Sequence, residues 1–210
     1  ADGAERTVDD IVTGGGVARP VQADLSTEDG ARKLMADAGS HISCVVNNAA
    51  AQPVVDIREM SGADWRSVMA ANLDGAFYVT QAAALAMRER KRSGAVVNIS
   101  SIEGSDPAVG HSHYATSKAG LIMLTRACAL EYGKDGIRFN TVSPGLIDED
   151  GLAEDWPDGV ARWLDKVPLG RIGSAADVAD AVLYLLSPAA RWISGTNLIV
   201  DGGMSAVSRW

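Results

Sequence analysis

The sequence predicts an α/β fold, a doubly wound parallel sheet (Rossmann-like) with helices on both faces. Three observations predict it. Short apolar runs alternate with longer stretches of helical periodicity, the pattern of parallel strands joined by crossover helices. The run at residues 42–46, ISCVV, is continuous and does not alternate with polar residues, as expected for a strand covered on both sides. Finally, 210 residues without an internal repeat or a linker-like tract are enough for one domain, 1–210, with a sizeable core.

Taken in order, residues 4–12 have helical spacing, and Gly14, Gly15 and Gly16 close that helix as glycine C-caps do. Residues 17–23 read as a short strand. The Thr13-Gly14-Gly15-Gly16 segment is therefore a structural turn, because a nucleotide-binding glycine loop follows a strand and opens a helix. Asp24 ends the strand, and Ser26 or Thr27 can cap a helix running to about Ala38. The apolar run at 42–46 delivers Asn47 and Asn48 to the carboxyl edge of the sheet. A long helix over 63–87, a strand over 95–99, a helix from Tyr114 to about Tyr132 and a strand over 137–142 follow. Ser174 with Asp177 three residues on forms a capping-box start for a helix ending near Ser187. Residues 197–200 close the sheet before Asp201-Gly202-Gly203. The helices at 65–87 and 119–130 are apolar over more than one face. A helix covering a sheet needs one apolar stripe, so the surplus points to tight packing within the chain or, preferably, to a subunit interface.

A formal charge of -8, with no broad basic stripe, argues against a nucleic-acid partner. Cys44 and Cys128 sit in apolar segments and are expected to be small buried thiols in a reducing compartment, without metal-ligand spacing. No run of 18 apolar residues and no basic-then-apolar leader is present, so the expectation is a cytoplasmic protein with no membrane partner.

The chemistry concentrates in residues 96–118, VVNISSIEGSDPAVGHSHYATSK. Tyr114 and Lys118 stand one helical turn apart and project from one face. A nearby ammonium favours the phenolate and moves the tyrosine pKa from near 10 toward neutrality, which makes Tyr114 a general acid or base. Ser101, thirteen residues upstream at a strand end, is placed to hydrogen-bond the oxygen that exchanges its proton with Tyr114. Tyrosine and lysine one turn apart also occur on solvated helix faces, so the serine spacing carries the specificity.

Ser101 and Tyr114-Ala115-Thr116-Ser117-Lys118 resemble the signature of the short-chain dehydrogenase/reductase family, and the resemblance extends over essentially the whole chain. Asn47-Asn48-Ala49-Ala50 is similar to the family's N-N-A-G, with Ala50 in place of its glycine. Asn72 falls where the family keeps a helical asparagine, although without the family it reads as a satisfied buried amide. Asp24 and Leu25 match the pair beside the cofactor adenine, and Asp24 alone reads as a helix cap. Pro144-Gly145-Leu146-Ile147 resembles the P-G-x-I segment under the nicotinamide, with Glu149 where the family often has threonine. The resemblance implies NAD or NADP as cofactor, hydride transfer to or from a small-molecule carbonyl or secondary alcohol, no metal, and a homo-oligomer, dimer or tetramer. It implies Asn72, Ser101, Tyr114 and Lys118 as catalytic residues. For the cofactor it implies Asp24, Leu25, Asn48, Ala49, Tyr114, Lys118, Pro144, Gly145 and Ile147. A dehalogenase-type lyase on the same fold carries arginine where Lys118 stands.

Members of the family open with a strand, a glycine-rich phosphate loop and a helix, which hold the pyrophosphate. The present sequence enters, at Ala1, where the helix after the second strand is expected. That leaves the strand at 17–23 without a neighbour and the strand at 42–46 with an exposed edge. The expectation is a portion of a longer chain. The alternative of a different class is a non-catalytic module for oligomerisation or binding. Residues 146–166 resemble a substrate lid, and its acids, Asp148, Glu149, Asp150, Glu154, Asp155 and Asp158, either face the pocket or form a solvated face. Trp156 and Trp163 either wall an apolar pocket or anchor the lid. Glu103 and Asp106 add negative charge after Ser101, His111 and His113 read as surface or pocket-lining residues, and the basic run at 88–92 reads as a solvated helix end or a docking site for an acidic carrier.

Overall fold

A computed structural model describes residues 2–39 and 41–207; Ala1, Ser40 and residues 208–210 lie outside the described residues. Four strands, β1 (Cys44–Asn47), β2 (Gly94–Ile99), β3 (Ile137–Pro144) and β4 (Asn197–Val200), form one parallel sheet in the order β1-β2-β3-β4. One face carries α4 (Gly75–Glu89) and α5 (Ser112–Tyr132), with a core of Ala83, Ala84, Met87, Val96, Ile137 and Phe139. Met35 of α2 (Glu28–Ala38) packs on its margin. The other face carries α8 (Ala175–Leu186), with Val97, Val142, Val182, Leu185 and Ala190 buried together. The fold is therefore the α/β/α Rossmann-like arrangement that the alternating pattern predicts.

A row of polar residues crosses the sheet in register. Asn47 pairs with Asn98, Asn98 with Thr141, and Thr141 with Asn197. The Asn47 amide donates to Thr80 Oγ1 at 2.9 Å and to Asn98 Oδ1 at 2.8 Å. Asn98 in turn donates to Thr125 Oγ1 of α5, as does the Thr141 hydroxyl, both at 2.8 Å. Asn98, Thr125 and Thr141 are fully buried, so these partners meet the need that burial imposes on polar groups.

Most predicted elements are present, with three corrections. Residues 17–23 form no strand, and Val17 is almost wholly exposed, because no neighbouring strand offers partners for its backbone. The chain instead runs from α1 (Asp2–Thr13) to an Asx turn, where Asp24 Oδ1 accepts from Ser26 N, and Thr27 caps α2. Cys44 is exposed on the edge strand β1, and only Cys128 is half-buried; its burial pushes the thiol up to about 11. The long helix over 63–87 is α3 (Gly62–Met69), a π-helical turn (Ala70–Asp74) and α4. Among the described residues no helix is long and apolar enough to cross a membrane.

Candidate active site

All four strands deliver their carboxyl ends to one edge, the position where open α/β sheets bind ligands. Beyond β2, Ser101 caps a short 3-10 turn (Ile102–Gly104), its Oγ accepting from the Glu103 N–H at 3.1 Å. Gly104 lets that turn lie directly on α5, since a Cβ there would stand 3.1 Å from the Lys118 carbonyl carbon. The turn and the helix are thus packed together, which brings the Ser101 hydroxyl to the Tyr114 phenol, where it favours the ionised form. Tyr114 is 7% exposed and Lys118 3% exposed.

Lys118 Nζ donates to the Ile99 carbonyl at 2.8 Å and lies 5.4 Å from the centroid of the Tyr114 ring. The ammonium therefore sits beside the ring face, anchored to the end of β2. Burial holds the Lys118 pKa down at about 8. Burial also moves Tyr114 upward, the nearby Ser101 hydroxyl opposes this, and the Glu103 charge adds to it. The sequence-based expectation of a depressed tyrosine is corrected: desolvation of the phenolate outweighs its stabilisation in this arrangement.

Asn72 lies in the π turn and is buried. Its Oδ1 accepts from Ala51 N at 2.7 Å, and its Nδ2 donates to Ala51 O at 2.9 Å and Ser117 Oγ at 3.1 Å. Both amide protons are used, so the side chain clamps the loop after β1 to the helix carrying Tyr114. π-helical turns are frequent at functional sites.

Beyond β3, Pro144 and Gly145 meet the β4 end, with Gly145 N donating to Val200 O at 2.9 Å. Ile147 forms a bridge to Gly173 in which only its neighbours bond: Gly173 N donates to Leu146 O and Asp148 N to Gly173 O. Among the described residues the Ile147 N–H and C=O make no hydrogen bond. Asn48 and Ala49 are exposed just after β1. Asp24 is exposed, and the Leu25 carbonyl lies against Gly75 at the start of α4, where a Cβ would stand 2.7 Å from it.

A Cβ on Gly145 would stand 2.7 Å from Trp163 Cη2 and 2.9 Å from Asp201 Cα. Trp163, in α7 (Pro157–Leu164), thus anchors the segment over the sheet edge, whereas Trp156 is half-exposed, packed on Gly159 and 5.9 Å from the Arg162 guanidinium. Gly145→Val is expected to lower stability by about 1–3 kcal/mol, the usual cost of overpacking, as read from the urea midpoint. Asp148, Glu149, Asp150, Glu154, Asp155 and Asp158 are all exposed, the solvated-face alternative.

One feature at this edge was not found by sequence reasoning. Glu103 Oε2 and Oε1 stand 2.9 and 3.1 Å from His111 Nδ1, and Gln52 Nε2 donates to Oε1 at 3.4 Å. The imidazole lies edge-on to the Tyr114 ring at 5.9 Å. Only the closeness of Glu103 to Ser101 and of His111 to Tyr114 hinted at it. His113 is fully buried, accepting from Tyr114 N at 2.9 Å through Nδ1.

A family profile described as enoyl-(acyl carrier protein) reductase matches residues 1–205. The L-rhamnose 1-dehydrogenase (NAD(P)(+)) of Azotobacter vinelandii is 37% identical over 207 residues, 96% of this chain and 81% of that protein. A 3-oxoacyl-[acyl-carrier-protein] reductase of Chlamydia muridarum is 40% identical over 177 residues, 83% of this chain and 69% of its own. A solved structure from Agrobacterium tumefaciens, described as a 2-deoxy-D-gluconate 3-dehydrogenase with bound NADP, superposes with a TM-score of 0.89 at 35% identity. It covers 96% of this chain and 82% of that one.

Proposed function

The chain belongs to the short-chain dehydrogenase/reductase family, a family of NAD(P)-dependent oxidoreductases, and from this we propose that the cluster of Ser101, Tyr114 and Lys118 is its active site. The relatives matched are dehydrogenases and reductases, so the non-catalytic reading is set aside. The observation that carries the proposal is the buried Lys118 ammonium, anchored to the Ile99 carbonyl and 5.4 Å from the Tyr114 ring centroid, at the carboxyl edge of the sheet where Ser101 follows its strand.

The residues fit a nicotinamide nucleotide, NAD or NADP. The unspent backbone groups of Ile147 suit a carboxamide, and the Lys118 ammonium, with one hydrogen bond among the described residues, keeps donors for ribose hydroxyls. The bound nicotinamide supplies or takes the hydride. In the reducing direction Tyr114, protonated at neutral pH, gives its proton to the carbonyl oxygen, which Ser101 holds by a hydrogen bond. Lys118 would hold the ribose of the bound cofactor, and Asn72 keeps the π turn and the Ala51 loop in place. Asn48, Ala49, Pro144 and Gly145 would hold the nicotinamide half of the cofactor, and Asp24 and Leu25 would hold its adenine. The substrate is a small-molecule carbonyl compound or secondary alcohol, with residues 146–166 as its lid and 1–210 as one domain.

We further place the protein in the cytoplasm as a homo-oligomer. Trp65, Phe77 and Leu85 along α3 and α4, and Met123 and Leu130 on α5, are exposed, the surplus apolar faces that the sequence shows. Ser101→Ala is the direct test of the site. It removes one donor to the developing oxyanion and is expected to lower kcat about 10²–10³-fold. Nicotinamide affinity, followed by fluorescence titration, is expected to stay the same. Unchanged turnover would remove Ser101 from the site.

A further inference from the structure

From the Glu103, His111 and Gln52 constellation we infer that this enzyme selects substrates bearing a hydroxyl on the carbon next to the reacting one, with Glu103 as the residue that recognises it. The inference rests on the active-site reading above and names the substrate class of that site. Three segments converge here: the loop after β1 through Gln52, the turn after β2 through Glu103, and the start of α5 through His111. Glu103 and His111 keep only 16% and 15% of their side-chain surfaces exposed. A carboxylate is thus held, largely buried, on a histidine that packs edge-on against the Tyr114 ring, and its charge opposes ionisation of that phenol.

Such a carboxylate is costly to keep at this place. It opposes ionisation of the residue that must exchange a proton, and a neutral side chain would fill the same space. A carboxylate has about four lone-pair sites, and the bonds to His111 and Gln52 engage only part of them. What remains open is an acceptor of charged hydrogen bonds, two residues after Ser101 and held by a histidine whose ring lies 5.9 Å from that of Tyr114. A substrate hydroxyl beside the carbonyl satisfies it. A substrate carboxylate in the same position is repelled. Sites built to bond a substrate hydroxyl discriminate strongly against the analogue without one, because their own polar group is then left unpaired.

The test compares acetoin, butanone and α-ketobutyrate, which place a hydroxyl, a hydrogen or a carboxylate beside the ketone. Reduction is followed with saturating NADH and, separately, NADPH, for the wild-type protein and for Glu103→Ala. Differences in intrinsic ketone reactivity cancel when each ratio is taken relative to wild type. The acetoin-to-butanone ratio of kcat/KM is expected to fall about 10–100-fold in Glu103→Ala, the range for loss of a hydrogen bond to a charged group. The α-ketobutyrate-to-butanone ratio is expected to rise. Glu103→Gln, which keeps the shape and one acceptor oxygen but loses the charge, is expected to lose about 3–10-fold, and it replaces the alanine variant should that fail to fold. Unchanged ratios in variants that still reduce butanone overturn the inference and leave the active-site reading intact. Absence of wild-type turnover on all three ketones also overturns it, while the reading is then judged on Ser101→Ala alone.

Discussion

Replacing Tyr114 with phenylalanine is expected to lower kcat about 10²–10⁴-fold in both directions, the range for loss of a positioned general acid or base. The ring is buried beside the Lys118 ammonium and edge-on to the His111 imidazole, so phenylalanine keeps the packing and removes only the hydroxyl. Nicotinamide titration should be little changed. The pH dependence gives an independent readout. Burial and the Glu103 charge raise the Tyr114 pKa, so ketone reduction should hold steady through neutral pH and decline only as the phenol ionises in alkali. Alcohol oxidation, which needs the phenolate, should instead climb with pH over the neutral range. Residual activity near wild type, with the same pH profile, would show that another group carries the proton.

Lys118→Met is expected to abolish turnover and to make the protein more stable at neutral pH. The Lys118 ammonium is buried without a carboxylate partner among the described residues, and burial brings its pKa from the ordinary 10.5 down to about 8. The difference corresponds to about 3 kcal/mol. The sign follows from proton counting. Below about 8 both folded and unfolded chains carry the proton, and the folded chain bears the full cost of burying the charge. Between about 8 and 10.5 the unfolded chain binds more protons than the folded one, so stability rises with pH and the cost disappears. Methionine removes the cost at every pH but leaves the Ile99 carbonyl without its donor, worth about 1 kcal/mol. The net gain at neutral pH is then about 1–2 kcal/mol. Urea melts at pH values on either side of this interval measure it: the advantage of the variant should vanish in alkali. A constant difference would mean that the ammonium is solvated. Stability given up at a site for function is a common exchange in enzymes.

What the sequence conveyed depended on how local the cause was. The strand at Asn197–Val200 is found to the residue, since its apolar run is bounded by turn residues on both sides. The capping boxes are equally local, and Ser174 with Asp177 forms the reciprocal pair. Residues 17–23 carry the composition of a strand but need a partner strand, which their own sequence does not specify. The same division holds at the site. The spacing of Ser101, Tyr114 and Lys118 reveals that the three meet, because one turn of helix and one strand end determine it. The direction of the tyrosine pKa depends on where Nζ points and on how deeply the ring is buried, and neither is encoded in the spacing. The Glu103 and His111 pair depends on a loop that folds back over eight residues, for which no periodicity exists.

The in-register line of Asn47, Asn98, Thr141 and Asn197 has a bearing on how this edge tolerates change. An apolar sheet can slide by two residues and still present oily side chains to its helices. Here such a slide would leave amides facing methyl groups, so the line works as a datum from which each strand is measured. Ser101 stands three residues past it on its strand and Pro144 three past it on the next. Loops beyond the datum are free to drift in length and composition, and thereby in substrate, while the height at which hydride and proton are exchanged stays put.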